Sequence, residues 1–336
     1  MKGSLTRLAA LCCGVMLLGG CRKDLCYDHA SHGLSVQVRL HPEWEYVWEY
    51  DHGAAWPDNW DAAFGFAYEE LNPDPATGIA AFVYHADGTR TERHLPPEGG
   101  LLPMSEGRKS LLLYNDDTRY IVFGDLDSWA TATASTRTRT RATYSELHGD
   151  ERTVNAPDVL YWSRVEEYEA VRTAEPVRLT VYFQPLVYTY LIRYEFDEGL
   201  EHVAQARGAL AGMAGGVYLQ DGSTSEEAAT VLYDCEVKDY GVEAVVTSFG
   251  VPGFQPDTRT TRADNVHGLN LEVMLKNGTL KNFEFDITEQ MAQQPRGGVI
   301  TVSGLSVSRE EAENESGFDV VVDGWGEYED IELPLE

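Results

Sequence analysis

The sequence lacks the short motifs that most often identify an enzyme. It has no glycine-rich phosphate loop, no HExxH zinc motif and no GxSxG nucleophile elbow. Asp and Glu together occupy 55 of the 336 positions, so no particular carboxylate pair is singled out as a general acid and base. We therefore expect a protein that is not an enzyme, with no catalytic residues, no cofactor and no metal site.

Positive charge is also scarce. Lys and Arg total 26, and the formal net charge is −29 at pH 7. Binding to phosphate backbones needs a basic face, and adsorption to anionic lipid headgroups needs clustered Lys and Arg. The charge balance therefore argues against nucleic acid as a partner, and any link to a membrane must come from something other than surface charge.

Long apolar runs are absent after the first 20 residues. The chain opens with basic Lys2 and Arg7, followed by the run LAALCCGVMLLGG, which is too short to span a bilayer as a helix and is typical of a secretory signal. The residues Leu18, Gly19 and Gly20 before Cys21 resemble a bacterial lipobox. The alternative is an ordinary signal peptide that happens to precede a cysteine.

The lipobox resemblance implies that residues 1–20 are removed and that Cys21 is acylated on its thiol and its new amino group. Removing residues 1–20, which carry Lys2, Arg7 and no acid, changes the formal charge from −29 to −31. Two or more acyl chains anchor a protein stably, because each buried CH₂ contributes about 0.8 kcal/mol. We therefore expect attachment to the membrane through acyl chains on Cys21, with nothing after it spanning the bilayer.

Few cysteines remain for other roles. Of the five, Cys12 and Cys13 leave with the signal and Cys21 is assigned to the lipid, so Cys26 and Cys235 are left. A single disulfide between them and two separate thiols both remain open.

Alternation of apolar and polar residues predicts an all-β protein. Strands are expected within 34–40, 78–95, 107–126, 176–196, 269–287, 298–308 and 317–325. Hairpin turns are expected at Asp87-Gly88 and, with a bulge or longer loop, at Asn277-Gly278. Helical signals are few, with one short turn expected in 286–295, stopped by Pro295.

Many short strands between turn signals favour two tandem antiparallel β-sandwiches. A polar break at 167–176 separates two groups of strong strand patterns. We predict a tether over 21–32, an N-terminal β-sandwich over 33–172 and a C-terminal β-sandwich over 173–336.

An aromatic stretch within 43–60 is the first candidate binding segment. Trp44, Tyr46 and Trp48 would share one face of an extended chain. Exposed rings beside carboxylates suit stacking on sugars or a protein interface. The alternative is that these rings form one inner face of the first sandwich.

An arginine-rich stretch within 131–146 is the second candidate. Arg137, Arg139 and Arg141 alternate with Thr, so a strand would place all three on one side. The stretch could be a cleavable loop, a docking edge or an exposed edge strand protected by charge, and we favour the last.

Several segments together resemble the FimB-like minor fimbrial anchor lipoproteins of type V pilus systems. They are RKDLCYDH after Cys21, ALAGMAGGVYLQDG at 209–222 and FDVVVDGWGEYEDIELPL at 318–335. The small residues of the second segment suit either a surface that docks a partner strand or a tight crossover within one sandwich.

The resemblance implies two transthyretin-like β-sandwiches at the outer membrane. It further implies a fimbrial anchor or minor subunit that serves pilus assembly and adhesion and holds a fimbrial subunit by β-strand complementation. We expect a lipid-anchored location at the outer membrane facing the cell surface, with a periplasmic orientation open. The alternative function is a surface lipoprotein that binds a glycan or host ligand through residues 44–60.

Overall fold

The computed structural model describes residues 36–50, 53, 55–140, 148–173, 175–260, 265–313 and 330–331. The strands of the first half are β1 Val36–Trp44, β2 Ile79–His85, β3 Arg90–Leu95, β4 Gly100–Met104, β5 Gly107–Asn115, β6 Ile121–Gly124, β7 Thr133–Thr136, β8 Thr138–Arg139, β9 Arg152–Asn155 and β10 Tyr161–Ala170. Those of the second half are β11 Val177–Pro185, β12 Tyr188–Glu198, β13 Val203–Ala214, β14 Gly216–Tyr218, β15 Ala228–Val237, β16 Gly241–Ser248, β17 Gly268–Leu275, β18 Leu280–Asp286, β19 Gly298–Ser306 and β20 Asp330–Ile331.

Helices are short. The α-helices are α1 Trp56–Asn59, α2 Thr288–Gln293 and α3 Arg309–Glu313, and the 3₁₀ turns are Ala62–Phe64, Tyr68–Leu71 and Leu200–His202. Within the described ranges, no helix has both the length and the apolar character needed to cross a bilayer. The expected helical turn is confirmed as α2, which ends before Pro295.

The N-terminal sandwich is one seven-stranded sheet folded over on itself. Its strand order is β3-β2-β5-β10-β11-β1-β4, and the ladder between β10 and β11 has only two residue pairs. Buried side chains from both halves of the sheet form one core, for example Val38 and Phe183 from one half and Val83 and Leu111 from the other. The sheet therefore bends at the β10/β11 corner and encloses this core.

A small third sheet covers the outer face of β2 and β5. It has the order β14-β7-β6, and its Ala134 and Val217 pack with Phe82 and Leu112 of the larger sheet. Successive side chains of a strand point to opposite faces. Because both faces of β2 are covered, its sequence IAAFVYH is almost continuously apolar.

The C-terminal sandwich is built from ten strands. The main path is β18-β17-β13-β15-β16-β12-β19, and β9, β8 and β20 extend it from the side of β15. Its core collects buried residues of β12, β13, β15, β16, β17 and β19, together with Val154 of β9 and Met291 of α2.

The all-β sandwich class is confirmed, but the sheets are mixed rather than purely antiparallel. The ladders β1·β11, β12·β19 and β9·β15 are parallel. Parallel neighbours need long crossover connections, which sequence alternation does not reveal.

Both expected hairpins are present, each with a three-residue loop. The His85 N–H donates to Thr89 O and the Leu275 N–H donates to Thr279 O, both at 2.8 Å. Gly88 and Gly278 each have a φ of 82°, the left-handed conformation that glycine adopts without a steric penalty. The longer loop expected at Asn277-Gly278 is therefore confirmed.

We propose that the two sandwiches divide near residue 186 instead of at 172/173. Strand β11 pairs with β1 over Val177–Phe183 and with β10 at its end, so it belongs to the N-terminal sheet. Strand β12 begins at Tyr188 and pairs with β16 and β19 of the C-terminal sandwich.

An aromatic strap, which we define as residues 45–71, joins the two sandwiches. It leaves β1 and is held to the C-terminal sandwich by backbone hydrogen bonds of 2.8 Å from Thr189 N–H to Trp48 O and from Tyr50 N–H to Arg296 O. Trp48 is 0% exposed and packs against Leu191 of β12. The other rings of this cluster are Trp56, Trp60, Phe64, Phe66 and Tyr68.

A polar cluster is buried where β13 meets β17. His148 Nδ1 lies 2.6 Å from Glu151 Oε1, and the other carboxylate oxygen accepts hydrogen bonds from Gly212 N–H at 3.0 Å and Thr230 Oγ1 at 2.7 Å. His267 is 4% exposed beside this cluster. Burial, which disfavours the charged imidazolium, lowers the pKa of His267 to about 4.

We predict that Trp48→Ala destabilises the fold by about 3–5 kcal/mol, because it removes a large side chain and leaves a cavity at the junction. Urea unfolding followed by circular dichroism measures the change. Trp56→Ala is the matched control, since Trp56 is only partly buried, and its cost should be clearly smaller. Equal costs for the two variants would contradict the central position of Trp48.

We predict that His267 makes the protein less stable in acid. Its pKa is about 4 in the folded state and 6.5 in its unperturbed form, so between these values the unfolded chain binds more protons. Stability is therefore full above pH 6.5 and falls by about 3 kcal/mol towards pH 4.

The measurement is the free energy of unfolding from pH 4 to 7.5. In His267→Gln, the contribution of His267 to the slope of the unfolding free energy against pH should disappear. His41→Gln changes an exposed histidine and should keep the slope of the unmodified protein. An unchanged slope in His267→Gln would show that other groups cause the acid sensitivity.

Candidate functional site

Two of the predicted site residues lie outside the described residues. They are Cys21, the expected lipid anchor, and Arg141. Cys26, one of the two cysteines considered for a disulfide, also lies outside them. Acylation of Cys21 and the pairing of Cys26 with Cys235 therefore stay predictions.

Trp44 and Tyr46 face the core of the N-terminal sandwich. The Trp44 ring stacks on Phe183 with 4.0 Å between centroids, and Tyr46 meets Tyr161 edge-on at 5.3 Å. The Trp44 indole N–H donates to Pro97 O at 3.0 Å. Both rings are partly buried, which supports the inner-face interpretation for this part of the aromatic stretch.

Trp48 does not share a surface with Trp44. Strand β1 ends at Trp44, so the alternation used to group these rings ends there too. Trp48 lies in the strap cluster against the C-terminal sandwich and is fully buried. No part of the Trp48 side chain is exposed. A ligand contact at Trp48 stays a prediction, and this packing gives it no support.

The arginine-rich stretch is not an exposed edge strand over its described part. Strand β7 lies between β6 and β14, and β8 lies between β9 and β20. The Arg137 N–H donates to Tyr120 O at 3.0 Å, and Arg139 Nη2 lies 3.5 Å from Asp234 Oδ2. The edge interpretation was wrong because alternation of Arg and Thr indicates a strand but not its neighbours.

The small-residue stretch forms a crossover between sheets. The chain leaves β13 in the C-terminal sandwich and enters β14 in the third sheet. A Cβ on Gly216 would approach Ala134 O to 2.6 Å, so only glycine permits this close backbone approach. The crossover interpretation holds, although it links two sheets instead of lying within one sandwich.

Sequence reasoning missed an open slot between β10 and β11, which we call the corner slot. The ladder between these strands ends at Trp162 and Gln184, although β10 continues to Ala170 and β11 begins at Val177. A pocket of about 270 Å³ lies there. Its lining comprises Trp162, Ser163, Arg164, Val165, Thr180, Val181, Tyr182, Gln184, Asp221, Pro256 and Asp257.

The corner slot combines an exposed ring with hydrogen-bonding groups. Tyr182 is 63% exposed. Arg164 donates to the backbone oxygen of Gln220, and Asp221 Oδ1 accepts from Ser223. Such a lining suits the binding of a polar, extended ligand. No group of three or more His, Cys, Asp or Glu side chains suited to a metal occurs in the described part of the chain.

Another sheet margin is closed by side chains. The edge of β19 is capped by two glutamines of α2 and its C-terminal end, which act like a neighbouring strand. Gln290 exchanges hydrogen bonds of 3.0 and 3.1 Å with the backbone of Thr301, and Gln294 exchanges bonds of 2.7 and 3.0 Å with Val299. The edge of β19 is therefore closed to strand addition at Val299 and Thr301.

Comparisons with known proteins agree with this architecture. A "putative adhesin" of Bacteroides ovatus, solved by crystallography, superposes with a TM-score of 0.59 at 20% identity and covers 86% of this chain and 98% of its own. That likeness shows the fold. The "Putative fimbrium anchoring subunit Fim4B" of Bacteroides ovatus is 22% identical, and the match covers 99% of this chain and 98% of that protein. The resemblance to fimbrial anchor proteins found in the sequence is confirmed by this relative.

A family model described as "Domain of unknown function (DUF5119)" matches residues 62–234. The match begins in the aromatic strap, includes the corner slot strands and ends in β15 of the C-terminal sandwich. Because it covers more than half of the sequence, the chain belongs to the DUF5119 family.

Proposed function

We propose that the protein is an outer-membrane lipoprotein that acts as a fimbrial anchor or minor fimbrial subunit in pilus assembly and adhesion. The observation that carries the proposal is the full-length similarity to a protein named as a fimbrium anchoring subunit. Two sandwiches joined by a strap and by a crossover strand connection suit a mechanical role.

The proposed anchor is the acylated Cys21. The lipobox-like residues Leu18 to Cys21 stand before a chain whose formal charge is strongly negative, so acyl chains must supply the membrane affinity. The first described strand begins at Val36, which leaves residues 21–35 between the acyl chains and the first sandwich. We place the protein on the outer membrane, facing the cell surface.

The proposed mode of partner binding is β-strand complementation. An all-β protein with incompletely paired strands can accept an extended segment of another subunit through main-chain hydrogen bonds. Alternate side chains of that segment would then contact the protein and provide specificity.

The glycan-binding alternative has less support. Its three central rings, Trp44, Tyr46 and Trp48, are engaged in packing, and Trp48 is inaccessible. The half-buried rings of the strap, such as Trp56 and Trp60, also pack against one another at 6.5 Å. Among the described residues of this segment, no contact favours a sugar over a structural role.

The test is a mild-detergent pull-down of the lipidated protein from its native membrane, with mass spectrometry of the bound proteins. Recovery of one fimbrial subunit in a constant ratio supports the proposed function. Recovery with sugar-uptake components, or without any pilus protein, contradicts it.

We predict that Cys21→Ser abolishes acylation, because the thioether can form only at that thiol. Incorporation of an alkyne-tagged fatty acid, followed by mass spectrometry of the N-terminal peptide, measures it. Cys26→Ser is the matched control and should incorporate the label like the unmodified protein. Label retained in Cys21→Ser and lost in Cys26→Ser would overturn the assignment.

A further inference from the structure

We infer that the corner slot between β10 and β11 accepts an extended, basic segment of a partner polypeptide as an added β-strand. The inference rests on the proposed function in one respect, since the partner strand is taken to belong to a fimbrial subunit. The carrying observation is an antiparallel pair of strands whose ladder stops while both strands continue.

The backbone of β11 points into the slot at alternate residues. Glu45 N–H donates to Phe183 O at 2.9 Å, so the hydrogen-bonding groups of Phe183 face β1. Neighbouring residues of a strand face opposite sides. The N–H and C=O groups of Thr180 and Tyr182 therefore face away from β1 and towards the slot.

The backbone of β10 points into the slot from the other side. Leu186 N–H donates to Leu160 O at 2.8 Å, so the backbone groups of Leu160 face β11. The backbone groups of every second residue after it, Trp162 and Arg164, face the same way. Trp162 still pairs with Gln184, but the ladder contains no pair for Arg164. In a continuous ladder Arg164 would pair with Tyr182, so the slot separates two backbone edges that match in register.

Strand β10 is irregular beyond the last residue that it pairs with β11. The register of β10 against β5 shifts between Val165 and Tyr168, and Glu167 has a φ of 56°. A bulge of this kind bends a strand and increases its twist. Strand β10 therefore bends within its part that has no pair on β11, beyond Val165.

Charge around the slot favours a basic occupant. Asp221 and Asp257 line the pocket from neighbouring loops. Further along the two strands, Glu166 and Glu169 of β10 are exposed, as is Arg178 of β11, so carboxylates outnumber cations around the slot. Arg164 is the cation of the lining, and its guanidinium is directed to the backbone oxygen of Gln220. Lys or Arg side chains on an incoming strand would therefore meet carboxylates.

The slot also suits a strand better than a small sugar. Its walls present backbone donors and acceptors along two edges, which an extended peptide satisfies in sequence. A sugar would depend mainly on side chains such as Tyr182, whose ring is exposed. This difference between backbone and side-chain recognition makes the two occupants distinguishable.

The test compares Tyr182→Pro with Tyr182→Ala in the full lipidated chain. Proline removes the N–H that points into the slot, and it is tolerated where that N–H has no partner within its own sheet. Alanine removes the ring but keeps the N–H. Binding of the fimbrial subunit that the unmodified protein recovers from its native membrane is measured for both, and the urea midpoint checks that both are folded.

Strand addition predicts that Tyr182→Pro lowers subunit recovery by about tenfold or more, while Tyr182→Ala lowers it much less. A second variant, Asp257→Lys, tests the charge, and it should weaken recovery in a way that added salt reduces. Equal losses for Tyr182→Pro and Tyr182→Ala would indicate a side-chain site, such as one for a saccharide, and would overturn the inference.

The pull-down distinguishes failure of the corner slot inference from failure of the proposed function. If the unmodified protein recovers a fimbrial subunit and Tyr182→Pro recovers as much, the corner slot inference is wrong and the proposed function stands. If the unmodified protein recovers no fimbrial subunit, the proposed function fails and the inference fails with it. Should Tyr182→Pro not fold, Thr180→Pro, whose N–H also faces the slot, replaces it with the same expected outcomes.

Discussion

The burial of Trp48 holds the aromatic strap of the N-terminal half against the C-terminal sandwich. The aromatic strap leaves the sheet after Trp44, crosses to the C-terminal sandwich and is fixed there by the Trp48 ring and by the backbone bonds to Thr189 and Arg296. The strap and the β13-to-β14 crossover connect the sandwiches from both directions. A protein proposed to carry mechanical load between a membrane and a fimbrium needs such a junction, since a single flexible linker would let the two halves separate.

The corner slot arises because one sheet closes an N-terminal core on two sides. A sheet that folds over on itself must loosen a ladder somewhere, and here the loosened ladder is β10·β11. The C-terminal sandwich has a similar corner at β15·β16, where two residue pairs remain beside the hairpin turn. In the N-terminal corner, the paired residues lie at the end of β10 and β11 that is farthest from the connection between these two strands. Asp221 and Asp257 of neighbouring loops line the opening beside the pairs.

Much of the fold could be predicted from local patterns. The alternation Leu34 to Leu40 and the glycines at 88 and 278 depend on neighbouring residues alone, and the structure agrees with both for the described part. Strand neighbours could not be predicted, because Val38 and Val177 are paired across a long sequence separation. Because the sequence does not show strand neighbours, Arg139 was expected on an edge strand, whereas its strand β8 is paired on both sides. The corner slot was missed for the same reason, since finding it requires knowing where the β10·β11 ladder ends. The left-handed Glu167 gives no sequence signal, because glutamate is not a residue that favours that conformation.

Amide hydrogen exchange, measured with and without the fimbrial subunit, tests whether a partner strand adds to the corner slot. We predict that the backbone amides of Arg164, Thr180 and Tyr182, which face the slot, exchange fast in the isolated protein, whereas that of Phe183, which faces β1, is protected. Binding should then slow exchange at the first three by about tenfold or more, because an added strand satisfies these donors. Equal protection of all four amides before binding, or no change at the three on binding, would contradict it.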